Sequence, residues 1–222
     1  MPSKPPRPRA SLSRDRVVAA GVELADQEGI EALSMRKLAQ SLGVEAMSLY
    51  HHVANKDELL DGMVDVVFSE VHLPAAAGPW RAELQARCDS LRTVLLRHPW
   101  AVGLLDSRRS PGMASLGHHD AVIGCLLGGG FTIRRAAHAF ATLDAFVYGF
   151  VLQELALPIA DHEDAGDLAA EVLGNLPEGA LPHLVAMATE YVSRDDYSFA
   201  NEFAPGLALI LDGLAAEPAA GP

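Results

Sequence analysis

Between Ala46 and Lys56 the chain places Ser48, Tyr50, His51, His52 and Lys56 with no acidic residue among them. Hydroxyl, phenol, imidazole and ammonium groups at this density can hydrogen-bond phosphate oxygens and base edges, and the lack of carboxylates removes repulsion from phosphate. The alternative is packing alone, with Tyr50 and the histidines filling a small helical domain. Metal chemistry is the other use of histidine, and His51-His52 and His118-His119-Asp120 raise it. Adjacent residues on a helix point about 100° apart, so neither pair shares a face. The sequence has no HExxH, no CxxC pair, no GxSxG and no Gly-rich phosphate loop; Gly128–Gly130 has no strand signal before it and no Lys after it. The sequence therefore calls for no catalytic residue, no metal and no cofactor.

Residues of the first kind need a short, exposed helix, and the flanking sequence supplies its boundaries. Ser34 suits an N-cap, and Met35 to Leu42 puts Leu38, Ala39 and Leu42 on one apolar side. Gly43 stands where a left-handed residue ends that helix. Val44 and Leu49 bracket a possible cap at Glu45, the spacing of a hydrophobic staple, and the next helix runs roughly from Ala46 to His52. Asn55 and Glu58 then open a longer helix as a capping-box variant. Three helix starts in so short a span demand sharply angled helices, as in a helix-turn-helix.

The stretch SMRKLAQSLGVEAMSLYHHVANKDELLD, with SRDRVVAAGVELADQEGIEAL upstream, resembles the helix-turn-helix of the tetracycline-repressor (TetR) family of bacterial regulators. The likeness covers about the first third of the chain, and RKLAQ-LGVE and LY-HV-NK make it specific. It implies that Tyr50 and Lys56 meet DNA phosphates and that the first half of the Ala46–His52 helix meets bases. It also implies that Arg36 reaches the major groove from the preceding helix. The DNA face is then Arg36, Ala46, Met47, Ser48, Tyr50, His51, His52 and Lys56. Ala46 and Met47 replace polar or proline residues common in the family, and Ala54 a Lys, so no operator sequence carries over.

With 222 residues, half of them apolar, and a mean hydropathy of +0.15, the chain is globular. No uninterrupted apolar run approaches the ~18 residues of a membrane span, and MPSKPPRPRASLSR lacks the apolar core of a secretory signal. Cys88 and Cys125 read as lone, reduced, buried thiols, and the expected location is cytoplasmic. The net charge of −12 seems to oppose a DNA partner, yet residues 1–63 carry only −1 of it and residues 64–222 carry −11. Phosphate affinity follows local charge, so an acidic body restrains non-specific binding without excluding a specific site.

In chain order, residues 1–11 form a basic arm, residues 12–73 a helix-turn-helix domain with its connecting helix, and residues 74–222 a larger helical domain. Ser13 caps the first helix and Gly29 ends it. The helix from Asn55 runs to about Val71. Trp80–Leu96 carries Leu84, Cys88, Leu91 and Leu95 on one stripe. Asp106–Pro111 is a polar turn, and helices follow at Met113–Leu127, Thr132–Leu157, Ala180–Val192 and Phe203–Ala216. The acidic, Gly/Pro-containing stretch 158–178 reads as a mobile loop. Nothing has strand periodicity, so the fold class is all-α.

Helices 132–157 and 203–216 are apolar on more than one side, which suits either central core helices or an assembly surface. The family resemblance favours a homodimer through a four-helix bundle, with Phe140, Phe150, Leu207, Ile210, Leu211 and Leu214 at the interface. A twofold protein suits a palindromic operator. The resemblance also implies a small-molecule effector site, with candidates His72, Arg87, Leu91, Trp100, Leu105, Met113, His118, Ile123, Asp144 and Val147. Leu105 stands at the family's metal-ligating His position, which points to a mostly hydrophobic effector bound without a divalent metal. A buried Arg87 needs a partner; Asp89 faces elsewhere on its helix, leaving Asp144 or an anionic ligand group. The expected function is a DNA-binding transcription regulator, most simply a repressor released by its effector. The rival readings are a helical protein-interaction module without DNA binding and a metal-dependent enzyme.

Overall fold

Ser13, Ser34, Asn55 and Thr132 each start a helix by accepting a hydrogen bond from the backbone three residues on, at 2.8–3.3 Å. Each satisfies an amide that would otherwise lack a partner in the first helical turn. The computed structural model describes residues 11–105, 111–157, 162–177 and 179–216, with no strand among them. The helices are α1 (Arg14–Glu28), α2 (Met35–Leu42), α3 (Ala46–Leu49), α4 (Lys56–Ser69) and α5 (Trp80–Arg97). After a 3₁₀ turn at Pro99–Ala101 come α6 (Met113–Gly128), α7 (Ile133–Ala156), α8 (His162–Gly174), α9 (Pro182–Met187) and α10 (Phe203–Ala216). A π turn, Ala188–Val192, extends α9, and a 3₁₀ turn, Phe199–Glu202, leads into α10. The expected basic arm, apart from Ser11, and the polar turn at 106–110 lie outside the described residues.

The chain forms two compact units, one of residues 1–73 and 93–122, the other of residues 74–92 and 123–222. In the first unit α1 packs on α4 and α2, and α2 on α3. Glycines permit the α1–α4 approach: a Cβ on Gly62 would stand 2.9 Å from Val18 Cγ2, and one on Gly21 3.0 Å from Met63 Sδ. Val17, Leu38, Leu49, Leu59 and Met63 are fully buried there. Residues 93–122 join this unit through contacts invisible to helical periodicity. Asp65 of α4 accepts hydrogen bonds from the Ser115 amide at 2.8 Å and its hydroxyl at 3.2 Å, capping the start of α6 from another helix. Phe68 lies 5.4 Å, ring to ring, from His118.

In the second unit α10 packs on α7, whose Ala136, Ala139, Leu143, Val147 and Val151 are buried. Gly128 and Gly129 serve packing: a Cβ would fall 2.1 Å from the Ala76 carbonyl and 2.6 Å from the Trp80 ring. Phe150 stacks on Phe199 at 4.6 Å and meets Phe203 edge-on at 5.1 Å, while the Arg92 guanidinium lies over both Phe150 and Phe203 and pairs with Glu154. By length and composition α7 could cross a membrane, but its buried Asp144, paired with Arg87, marks it as the core helix of this unit.

The expected mobile loop at 158–178 is corrected by α8, which occupies residues 162–174. Ala165 and Ala169, one turn apart, are buried, so small side chains provide a packing stripe that an apolarity scan overlooks. The Ala- and Leu-rich composition of 165–173 favours a helix, and Pro158 and Pro177 lie beyond its ends instead of inside it. Residues 158–161 and 178 lie outside the described residues.

A candidate nucleic-acid interface

The DNA-reading residues are held by α2, the turn at Gly43, and α3. Gly43 takes the left-handed conformation (φ 68°, ψ 34°), and the Gly43 and Val44 amides donate to the carbonyls of Gln40 and Ala39. This closes α2 and turns the chain sharply into α3. Glu45 occupies the cap position of α3 without a side-chain hydrogen bond. The helix is shorter than the sequence suggested: residues 50–52 form a turn in which the His52 and Val53 amides both donate to the Leu49 carbonyl, at 2.8 and 3.0 Å. Leu49 and Val53, 0% and 1% exposed, anchor this segment from beneath.

Anchoring from below leaves the opposite side in water. Met47 is 71% exposed and Tyr50 44%. Arg36, His51 and Lys56 are also exposed, while Ala46, Ser48 and His52 are half-buried. An exposed Met and Tyr beside exposed histidine are not core residues, so the packing alternative does not describe Met47, Tyr50 or His51. Lys56, in the first turn of α4, donates from Nζ to the Leu33 carbonyl at 2.8 Å, tying the start of α4 to the residue before the α2 cap. Glu58 completes the α4 entrance: its amide donates to Asn55 Oδ1 at 2.8 Å, and its carboxylate accepts from the Ala54 amide at 2.7 Å. Lys37 pairs with Glu28 at the surface, an interaction of little energetic weight.

The expected effector residues fall in both units. In the first, Trp100, Leu105 and His118 are buried, whereas His72 is exposed and Met113 is 79% exposed. Met113 and His118 line a groove of about 280 Å³ with Phe68, Val71 and Leu73. In the second, Leu91 and Val147 are fully buried and Ile123 is half-buried. Arg87 is fully buried, with Nη1 2.5 Å from Asp144 Oδ1. The contact is an ion pair without hydrogen-bond alignment, and Arg87 Nε and Nη2 have no hydrogen-bond partner among the described residues. Burial is the largest single influence on Arg87 and disfavours its charge, but Asp144 together with Cys88 and Tyr148 outweighs it and holds the pKa above the ordinary value. Asp144 Oδ2 accepts from the Tyr148 hydroxyl at 3.3 Å.

Of the expected interface residues, Phe150, Leu207 and Leu211 are buried inside the chain itself, at 7%, 0% and 0% exposure. They form the core behind any assembly face. Phe140, Ile210 and Leu214 are half-buried, and the exposed apolar surface of the same helices lies at Ile133, Leu152, Leu155 and Leu209. Sequence reasoning did not find the polar cluster of Asp26, Glu70, Arg97, His98 and Trp100 in the first unit. Asp26, Glu70 and the segment 97–100 lie far apart in the chain and outside every apolar stripe, so no spacing announces their meeting.

A short helix anchored by Leu49 and Val53, presenting Met47, Tyr50 and His51 beside a Gly-turned partner helix, defines a helix-turn-helix DNA-binding regulator. Comparison with known proteins agrees. Residues 17–63 match the bacterial regulatory proteins of the tetR family, and residues 73–217 the tetracyclin repressor-like C-terminal domain. An HTH-type transcriptional regulator of Saccharopolyspora erythraea is 42% identical over 69% of this chain, which spans 65% of that relative's length. HTH-type transcriptional repressor DrrR1 of Streptomyces coeruleorubidus is 34% identical over 96% of this chain and 80% of its own. The crystal structure of the Streptomyces coelicolor TetR family protein ActR in complex with actinorhodin superposes with a TM-score of 0.80 at 33% identity, covering 93% of this chain and 97% of that one. The chain belongs to the TetR family of transcriptional regulators.

Proposed function

We propose that the protein is a homodimeric repressor that binds a palindromic operator and leaves it on binding a mostly apolar small molecule. The observation that carries the DNA reading is the exposed row of Met47, Tyr50 and His51 over the buried Leu49 and Val53. Arg36, Ala46, Met47, Ser48, His51 and His52 would approach base edges, and Tyr50 and Lys56 phosphates. Repression and release by a small molecule are supported by two relatives, one a transcriptional repressor and one solved in complex with actinorhodin. Dimerisation is supported by the apolar residues that α7 and α10 leave exposed: Ile133, Leu152, Leu155 and Leu209. A twofold dimer would place two reading heads on half-sites roughly 34–36 Å apart. The location consistent with this role is the cytoplasm.

Release requires the effector to bind the DNA-free conformation better than the DNA-bound one. A buried Leu105 at the position where the family resemblance puts a metal-ligating His supports an effector bound without a divalent ion. The test is selection of bound duplexes from random DNA, followed by anisotropy of the selected duplex against a compound panel with and without EDTA. A symmetric site and EDTA-insensitive release are expected. No enriched duplex would overturn the DNA reading, and release that needs Mg²⁺ would overturn the metal-free one.

A further inference from the structure

The reading head is short of the charge that holds a protein on DNA. Its described part, residues 11–63, contains five basic residues, Arg14, Arg16, Arg36, Lys37 and Lys56, against nine acidic ones, a balance of −4. Two of the five already face carboxylates: Lys37 pairs with Glu28, and Arg14 lies 3.6 Å from Glu58. Arg36 is exposed, and Lys56 Nζ donates to a neutral carbonyl, that of Leu33. A duplex carries one negative charge per ~1.7 Å of its axis, and salt-dependent affinity grows with the number of phosphates that cations neutralise. Arg36 and Lys56 are a small supply for that purpose among nine carboxylates.

The missing charge stands in residues 1–10, which lie outside the described residues. Lys4, Arg7 and Arg9 have no acidic residue among them, and none follows before Asp15. The point where this segment joins the fold is fixed. Ser13 caps α1, and the next residue, Arg14, meets Glu58 in the first turn of α4, the turn that begins with Lys56. A Cβ on Gly62, one turn further along α4, would stand 3.4 Å from the Arg14 guanidinium. Residues 1–10 therefore enter the head beside the lysine assigned to phosphate. Ten residues can reach at most about 36 Å, and Pro2, Pro5, Pro6 and Pro8 limit the conformations such a segment gives up on a partner. With α3 at the major groove, the neighbouring groove is the minor one, whose narrow stretches carry an enhanced negative potential that attracts arginine and lysine. We propose that Lys4, Arg7 and Arg9 form a second DNA-contacting element, lying in the minor groove beside the reading site and supplying more of the salt-dependent affinity than Lys56 does. The α2–α3 segment then selects sequence, and residues 1–10 hold the acidic head against the duplex.

The inference rests on the operator-binding reading, and its test separates the two. Full-length wild type and the triple variant Lys4→Ala, Arg7→Ala, Arg9→Ala, which changes no described residue, are titrated by anisotropy against the duplex selected from random DNA over a range of salt. The variant is expected to melt at the wild-type temperature, to lose about 2.7 from the salt slope for each chain bound, three phosphates' worth, and to bind at least about tenfold more weakly at physiological salt. Lys37→Ala, whose charge Glu28 already meets, is expected to keep the wild-type slope; a fall equal to that of the triple variant would mean that overall charge sets the slope and would overturn the assignment. Footprinting locates the contact, since hydroxyl radicals attack the sugars from the minor groove and dimethyl sulfate methylates guanine N7 in the major groove. The triple variant is expected to keep its N7 protection and to lose the minor-groove protection beside it. The same slope and footprint in wild type and variant overturn the proposal while the DNA reading stands. A lower slope with an unchanged minor-groove footprint overturns the groove assignment. Failure of wild type to bind any duplex overturns the DNA reading and this proposal with it.

Discussion

Replacing Arg87 by Met removes a fully buried guanidinium and leaves Asp144, 7% exposed, with the Tyr148 hydroxyl as its remaining donor among the described residues. At the observed 2.5 Å separation, the Coulomb attraction is roughly 6–7 kcal/mol at an effective dielectric of about 20. Each ion also loses several kcal/mol of hydration on burial, so the pair as a whole lies near balance. The single change keeps the Asp144 desolvation and removes its compensation, which should cost about 3–5 kcal/mol. Arg87→Met with Asp144→Leu removes both terms and should come back to within about 2 kcal/mol of wild type. For a chain of this size the single variant should melt roughly 6–20 °C lower, and urea unfolding gives the free-energy cycle. A double variant as unstable as the single one would refute the reasoning, because it would mean the side chains matter by shape and not by charge. The double variant also separates structure from ligand binding. If it folds and holds the operator yet no longer responds to an effector that releases wild type, Arg87 contacts that effector.

Three further outcomes follow from the geometry. Lys56→Ala should weaken binding to every duplex and lower the salt slope by about 0.9, one phosphate's worth, while Ser48→Ala or His51→Ala should change the selected sequence. Equal shifts in preference across these variants would undo that division. Leu209, 76% exposed, and Leu211, fully buried, separate assembly from core. Leu209→Glu should give a folded monomer with weakened operator affinity in sedimentation assays, whereas Leu211→Glu should cost several kcal/mol of stability; a wild-type monomer at micromolar concentration would end the dimer reading. Burial pushes the Cys88 thiol up to about 11, with Arg87 partly opposing, and burial raises Cys125 too. Neither thiol should react with an aromatic disulfide at pH 8 in the native protein, and both should react in denaturant. Since the folded Cys88 value is raised, its contribution to stability is complete below the ordinary 9.0 and is lost as pH climbs toward 11, which melting curves can follow.

Local chemistry explains what could be read in advance. The caps at Ser13, Ser34, Asn55 and Thr132 act over three residues, and the left-handed turn at Gly43 over one, so the sequence carries them whole. The stripe Leu84, Cys88, Leu91 and Leu95 is likewise periodic within one helix, and all four residues are fully buried. Arg87 and Asp144 lie 57 positions apart in the sequence, yet their pairing was legible as one of two possibilities because a buried guanidinium must find an anion. That argument needs no periodicity, only a strong penalty with few remedies. Asp26 with His98, Asp65 with Ser115, and Phe150 with Phe199 have no such compulsion in sequence, since water, a nearer residue or a different rotamer would serve each group as well in isolation. They become visible only when tertiary packing removes those choices. The same limit hid α8, because alanine buries too little area for Ala165 and Ala169 to register as an apolar stripe, although burial of small residues is what lets a helix pack closely.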